Sequence, residues 1–92
     1  MKFIYPVIVK QREDGVFHAR FPDLAMCEAE GSSMMDVLRN ATAAAHDWIA
    51  LEMEEDEPDL PPATDPEDIH PAEGESVRQI LVIYRFQDGW DE

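Results

Sequence analysis

The chain has 92 residues, 45% of them hydrophobic, enough for one small domain with one core and too many for a globally disordered chain. Seven Lys and Arg against 21 Asp and Glu leave a formal charge of -14. That balance disfavours direct nucleic-acid binding, which needs a clustered positive surface, and makes a basic protein the natural complement.

A single cysteine, Cys27, rules out an internal disulfide and a multi-cysteine metal site. The start, Met1 to Pro6, is too short and interrupted for a signal peptide, and no apolar run approaches the roughly 20 residues that cross a bilayer. The expectation is a soluble cytoplasmic protein with no membrane contact.

Residues 3–10 form a β-rich run with Phe3, Tyr5, Val7 and Val9 on one face and Ile4 and Ile8 on the other. Pro6 inside it implies an unpaired N–H or a bulge. Asp14-Gly15 is a tight-turn signal, and residues 16–21 alternate, placing Phe17, Ala19 and Phe21 opposite Val16, His18 and Arg20. The two runs make a hairpin. Pro22-Asp23 breaks the second strand, and Leu24 to Met26 crosses to a short third segment over residues 27–30, closed by Gly31.

A long amphipathic helix follows. Ser33, with Asp36 three residues on, reads as an N-cap, and the helix is expected to run to about Glu55. Its apolar stripe is Met34, Val37, Leu38, Ala41, Ala44, Ala45, Trp48 and Leu51; Asp36, Arg39, Asn40, His46, Asp47 and Glu54 take the watered side. Residues 56–76 then read as an acidic, proline-rich connector, extended and solvated, with Leu60 and Ile69 as the points that could pin it. The final strand is expected over residues 77–86, and a polar tail follows. The architecture is α+β: β-β-β-α-β, a single-layer sheet with one long helix on one face.

The first and last strands are apolar on both faces, a pattern typical of sheets covered on both sides, yet one helix can cover only one. Another polypeptide should cover the other, so homo-oligomerisation to a dimer or tetramer is expected. The candidate interface residues are Phe3, Tyr5, Ile80, Val82, Tyr84 and Phe86.

Catalytic, metal and cofactor sites are not expected. His18, His46 and His70 have no ligand spacing. Cys27 has Met26 and Glu28 beside it and no base. Ser32 and Ser33 read as caps, no glycine-rich phosphate loop is present, and the many carboxylates lie mostly in the connector, where they cannot hold a fixed geometry.

Tyr5-Pro6-Val7-Ile8-Val9, Asp14-Gly15, Phe21-Pro22-Asp23-Leu24, Cys27, Gly31 and the helix with Ala41, Ala45 and Trp48 together resemble HicB-type antitoxins. The likeness covers residues 3–62. It implies a fold like a truncated ribonuclease H, structural roles for Phe21, Pro22, Asp23, Leu24, Cys27 and Gly31, and a partner in a small, basic HicA-type ribonuclease that the antitoxin masks. It does not imply catalysis, because residues 3–10 and 77–86 carry no carboxylate. Family members usually have Pro-Gly before the cysteine, where this chain has Ala25-Met26. Many also carry a C-terminal DNA-binding unit; this sequence stops six residues after Phe86. The expectation is therefore one HicB-like domain over residues 1–92 that does not bind nucleic acid alone. The alternative is a stand-alone homo-oligomeric HicB-like module without a toxin.

Overall fold

Four antiparallel strands and one helix are built from these patterns: β1 (Lys2–Gln11), β2 (Phe17–Arg20), β3 (Glu28–Gly31), α1 (Met34–Met53) and β4 (Glu75–Ile83). The computed structural model describes residues 1–84. The spatial order is β3-β2-β1-β4, so the first and last strands of the chain are neighbours and β3 and β4 form the edges. The α+β order expected from the sequence is the order observed.

The hairpin closes as its turn chemistry dictates. Gly15 takes φ +90, Arg12 and Val16 bond across the turn, and the Asp14 carboxylate accepts the Val16 N–H at 3.0 Å. Pro6 causes no bulge. β1 pairs with β4 without a break from Lys2↔Ile83 to Lys10↔Glu75, but with β2 only from Ile8 to Gln11. Met1 and Tyr84 exchange both backbone bonds, at 2.8 and 2.9 Å. Bonded pairs alternate along an antiparallel ladder, so Phe3–Val82 and Tyr5–Ile80 are bonded pairs and Pro6–Gln79 is not. The missing N–H of Pro6 faces away from β4, on the side that β2 does not reach.

α1 starts where the cap places it: the Ser33 hydroxyl accepts the Asp36 N–H at 3.0 Å. Its buried line is Val37, Ala41, Ala45 and Ile49, a strict four-residue spacing. Ile49 belongs to the core, and Leu51, expected in the stripe, is exposed. Leu38, Ala44 and Trp48 flank the line as partly buried residues. This face lies on Tyr5, Val7, Val9, Ala19, Phe21, Ile80 and Val82, and Leu24 and Cys27 close one end of the core.

β4 begins at Glu75, earlier than the polarity of Glu75 and Ser76 suggests, after a turn at Gly74. The connector before it is mostly exposed but tied down on the helix side of the sheet. The Tyr5 hydroxyl donates to the Pro61 carbonyl at 2.6 Å, Asp23 accepts both the N–H and the hydroxyl of Thr64, and Leu60 packs on the core. A 3-10 turn, Pro66–Asp68, is capped by Asp65. The expected strand end at residues 85–86 lies outside the described residues.

Candidate protein–protein interface

Register decides which residues face out. Phe3, Tyr5, Val7 and Val9 share the helix side with Ile80 and Val82, whereas Ile4, Pro6 and Ile8 share the other side with Val77, Gln79, Leu81 and Ile83. The set of interface residues read from the sequence therefore needs correction. Tyr5, Ile80 and Val82 are 3%, 7% and 1% exposed and form core, and Phe3 and Tyr84 pack against that core as partly buried residues. Phe86 lies outside the described residues. Both faces of these strands are apolar, so alternation could not tell which face the helix takes.

The open face is divided. At one end Ile4, Leu81 and Ile83 stand 54%, 47% and 44% exposed, and Ile4 is directly opposite Leu81. The other end is charged and internally paired: His18–Glu28 at 2.7 Å, Arg12–Glu30 at 2.7 Å and Arg20–Glu75 at 3.3 Å. Arg20 and Glu75 come from the strands on either side of β1, so their pair spans the central strand beside Ile8, which is buried. Hydrogen bonds from the Ala72 N–H and from Arg20 hold the Glu75 carboxyl below its ordinary value. Among the described residues of this face, the Ile4–Leu81–Ile83 end is the one that offers exposed apolar surface.

The acidic surface lies elsewhere. Glu52, Glu54, Glu55, Asp56, Glu57 and Asp59 crowd the C-terminal end of α1 and the start of the connector, and no Lys or Arg occurs between Arg39 and Arg78. The last turn of the helix has no basic residue. Carboxylates at a helix C-terminus oppose the helix dipole, so this cluster is locally unfavourable and is complemented by a cationic surface.

The motif residues have structural work. Phe21, Leu24 and Cys27 are buried, and Phe21 N–H bonds the Cys27 carbonyl at 3.1 Å, which closes the loop between β2 and β3. Pro22 is exposed at the strand end, and Asp23 holds the connector through Thr64. A Cβ on Gly31 would sit 2.5 Å from the Val37 nitrogen, so only glycine lets β3 approach the first turn of α1. Met26, a non-glycine residue in the left-handed region, keeps φ +62 and is 95% exposed. Trp48 Nε1 donates to the Ala25 carbonyl at 3.0 Å and fixes this loop to the helix.

Among the described residues, no group of three His, Cys, Asp or Glu converges as metal ligands. Burial, with the nearby Glu28 charge second, raises the Cys27 thiol above its ordinary value and keeps it protonated. The described helices include none long and apolar enough to cross a membrane. Beside β4 runs a groove of about 510 Å³, walled by Arg39, Thr42, Ala43 and His46 of α1 and floored by β4 residues 81–83. Sequence reading missed both the Asp23–Thr64 tie and this groove. The tie joins positions 41 residues apart, and the groove depends on where the helix lies across the sheet.

No protein-family model and no curated protein matches the chain. Solved structures do. A chain of a HicA3 and HicB3 toxin-antitoxin complex is 30% identical, with 84% of this chain and 94% of that chain covered and a TM-score of 0.66. The N-terminal domain of the Burkholderia pseudomallei antitoxin HicB is 17% identical, with 91% of this chain and all of that chain covered and a TM-score of 0.72; that likeness is one of fold.

Proposed function

The chain belongs to the HicB family, and from that premise we propose that it is the antitoxin of a type II toxin–antitoxin pair, binding and masking a small basic HicA-type ribonuclease in the cytoplasm. The observation that carries the reading is the 30% identity, over nearly the whole of both chains, with a member of a HicA3 and HicB3 complex. The charge layout supports it. A ribonuclease must present cations to its RNA, and the six carboxylates at the end of α1 and the start of the connector would meet those cations in place of phosphate. Steering between opposite charges would speed capture, and occupation of the RNA-binding surface would suffice for inhibition. The antitoxin needs no chemistry of its own, and the proposed role is non-enzymatic.

Self-association belongs to the same reading. The Ile4–Leu81–Ile83 end of the open face is apolar and uncovered among the described residues, and a dimer or tetramer of the antitoxin would close it.

The test is co-expression with the product of the neighbouring reading frame. Growth rescue and co-purification are expected. Replacing Glu54, Glu55, Asp56 and Glu57 together with Gln should weaken capture and flatten its salt dependence. Absence of both rescue and co-purification, from a chain that still self-associates, would contradict the antitoxin role and leave the stand-alone module.

A further inference from the structure

We propose that β4 pairs edge to edge with β4 of a second copy, antiparallel and centred on Leu81, so that two sheets of four strands join into one of eight. The inference rests on the reading that this chain self-associates and is independent of which toxin it binds.

Hydrogen-bond parity identifies the available groups. The Met1–Tyr84 exchange sets the ladder, so Ile80 and Val82 bond to β1 while Gln79, Leu81 and Ile83 turn their N–H and C=O groups outward. The Val77 carbonyl accepts from the Arg78 guanidinium at 3.2 Å, which caps the edge at that point. From Gln79 to Ile83 the edge has no proline, no charge and no bulge. Soluble proteins blunt such edges or use them, because an apolar unpaired strand invites pairing.

The space beside the edge accepts a strand. The groove of about 510 Å³ lies along residues 81–83, and its helical wall adds only Arg39, Thr42, Ala43 and His46. Charge then selects the occupant. Each copy carries -14, so copies meet with least repulsion on a surface free of carboxylates, and among the described residues Gln79 to Ile83 and the groove lining have none. Arg39 in the wall is already paired with Asp36, and with Lys2 opposite Ile83 the described lining offers a basic toxin no free carboxylate to meet.

Register follows from the two faces. An antiparallel pair keeps the open faces continuous only when outward residues pair with outward residues, since a slip of one flips every side chain. Centring on Leu81 pairs Gln79 with Ile83 of the second copy and Leu81 with itself, using only uncommitted backbone groups. It also sets the Ile4–Leu81–Ile83 patches of both copies side by side. Centring on Gln79 would draw in the capped Val77 and set Glu75 against Ile83.

The full chain is measured by size-exclusion chromatography with light scattering at tens of micromolar, alone and with the toxin. The wild type is expected as a dimer, and Leu81→Lys as a monomer at least tenfold weaker in self-association. Leu81 is 47% exposed, so circular dichroism of this variant should be unchanged. If Leu81→Lys fails to fold, cysteine variants decide. Paired Cα atoms lie about 5.5 Å apart, within disulfide reach, so Leu81→Cys should cross-link on oxidation and Gln79→Cys should not. Cys27 is buried, and the wild type is the control. A monomeric wild type, a dimeric Leu81→Lys, or cross-linking through Gln79→Cys instead would overturn the proposal. A monomeric Leu81→Lys that still captures toxin supports it and separates it from the antitoxin reading. Loss of toxin from a variant that stays dimeric would assign the edge to the toxin and overturn it.

Discussion

The two edges of the sheet are finished in opposite ways. β3 is four residues long, with Glu28 and Glu30 on its open side paired to His18 and Arg12, and its Glu30 carbonyl accepts from the Asn40 side chain at 2.7 Å. The first turn of α1 presses onto it at Gly31. β4 is nine residues long, and its last five are Gln-Ile-Leu-Val-Ile, with no side chain among the described residues bonded to the outward backbone. Short length and charge close one edge within the chain, whereas nothing among the described residues closes the other, and the proposed association would.

Proline substitution gives the largest break. Ile80→Pro removes a bond to β1 in the middle of the ladder and should cost about 3 kcal/mol or more, enough to abolish the cooperative unfolding transition. Gln79→Pro, one residue away, removes only an outward N–H. It should leave the monomer's chemical denaturation midpoint nearly unchanged while abolishing the dimer. Equal damage from both would mean that the parity is wrong.

At the closed edge, Gly31→Ala puts a methyl group against backbone atoms of Asp36 and Val37, which cannot move aside as a flexible side chain would. Overpacking of this kind costs about 2–3 kcal/mol, read as a lowered urea midpoint, and the oligomeric state should be unaffected.

Tyr5→Phe tests the tie between sheet and connector. It leaves the Pro61 carbonyl without its donor and should cost about 1 kcal/mol. The phenol sits above its ordinary value of 10.0, from burial first and the Asp23 charge second. The folded chain therefore holds this proton more tightly than the unfolded chain. That contribution is complete below about pH 10 and is lost as pH rises through the folded value. The alkaline fall in thermal stability should shrink in Tyr5→Phe.

The smallest effect is a gain. Met26 holds a left-handed backbone without being glycine, so Met26→Gly should raise stability by about 0.5–1 kcal/mol, measured by the same denaturation.

The sequence was most legible where local chemistry decides. Ser33 and Asp36 mark the helix start, Asp14-Gly15 marks the hairpin, and the alternation of residues 17–21 assigns Phe17, Ala19 and Phe21 to the core side. It was least legible where tertiary placement decides. Tyr5 and Ile4 are equally apolar neighbours, and only the seating of α1 made one core and the other surface. Ile49 was missed because Trp48 and Leu51 continue the three-and-four spacing equally well, while the buried line keeps to a strict four. The polar Glu75 and Ser76 hid the first turn of β4. The Met26 backbone conformation is imposed by the closure of the loop between Phe21 and Cys27, which no propensity encodes.

Residue-resolved amide hydrogen exchange across β4 tests most directly the claim that one edge is closed within the chain and the other by a second copy. Ile80 and Val82 should exchange slowly at every protein concentration, whereas Gln79, Leu81 and Ile83 should be protected at high concentration and lose that protection on dilution. Outward amides that exchange at unprotected rates at all concentrations, beside slow Ile80 and Val82, would contradict it.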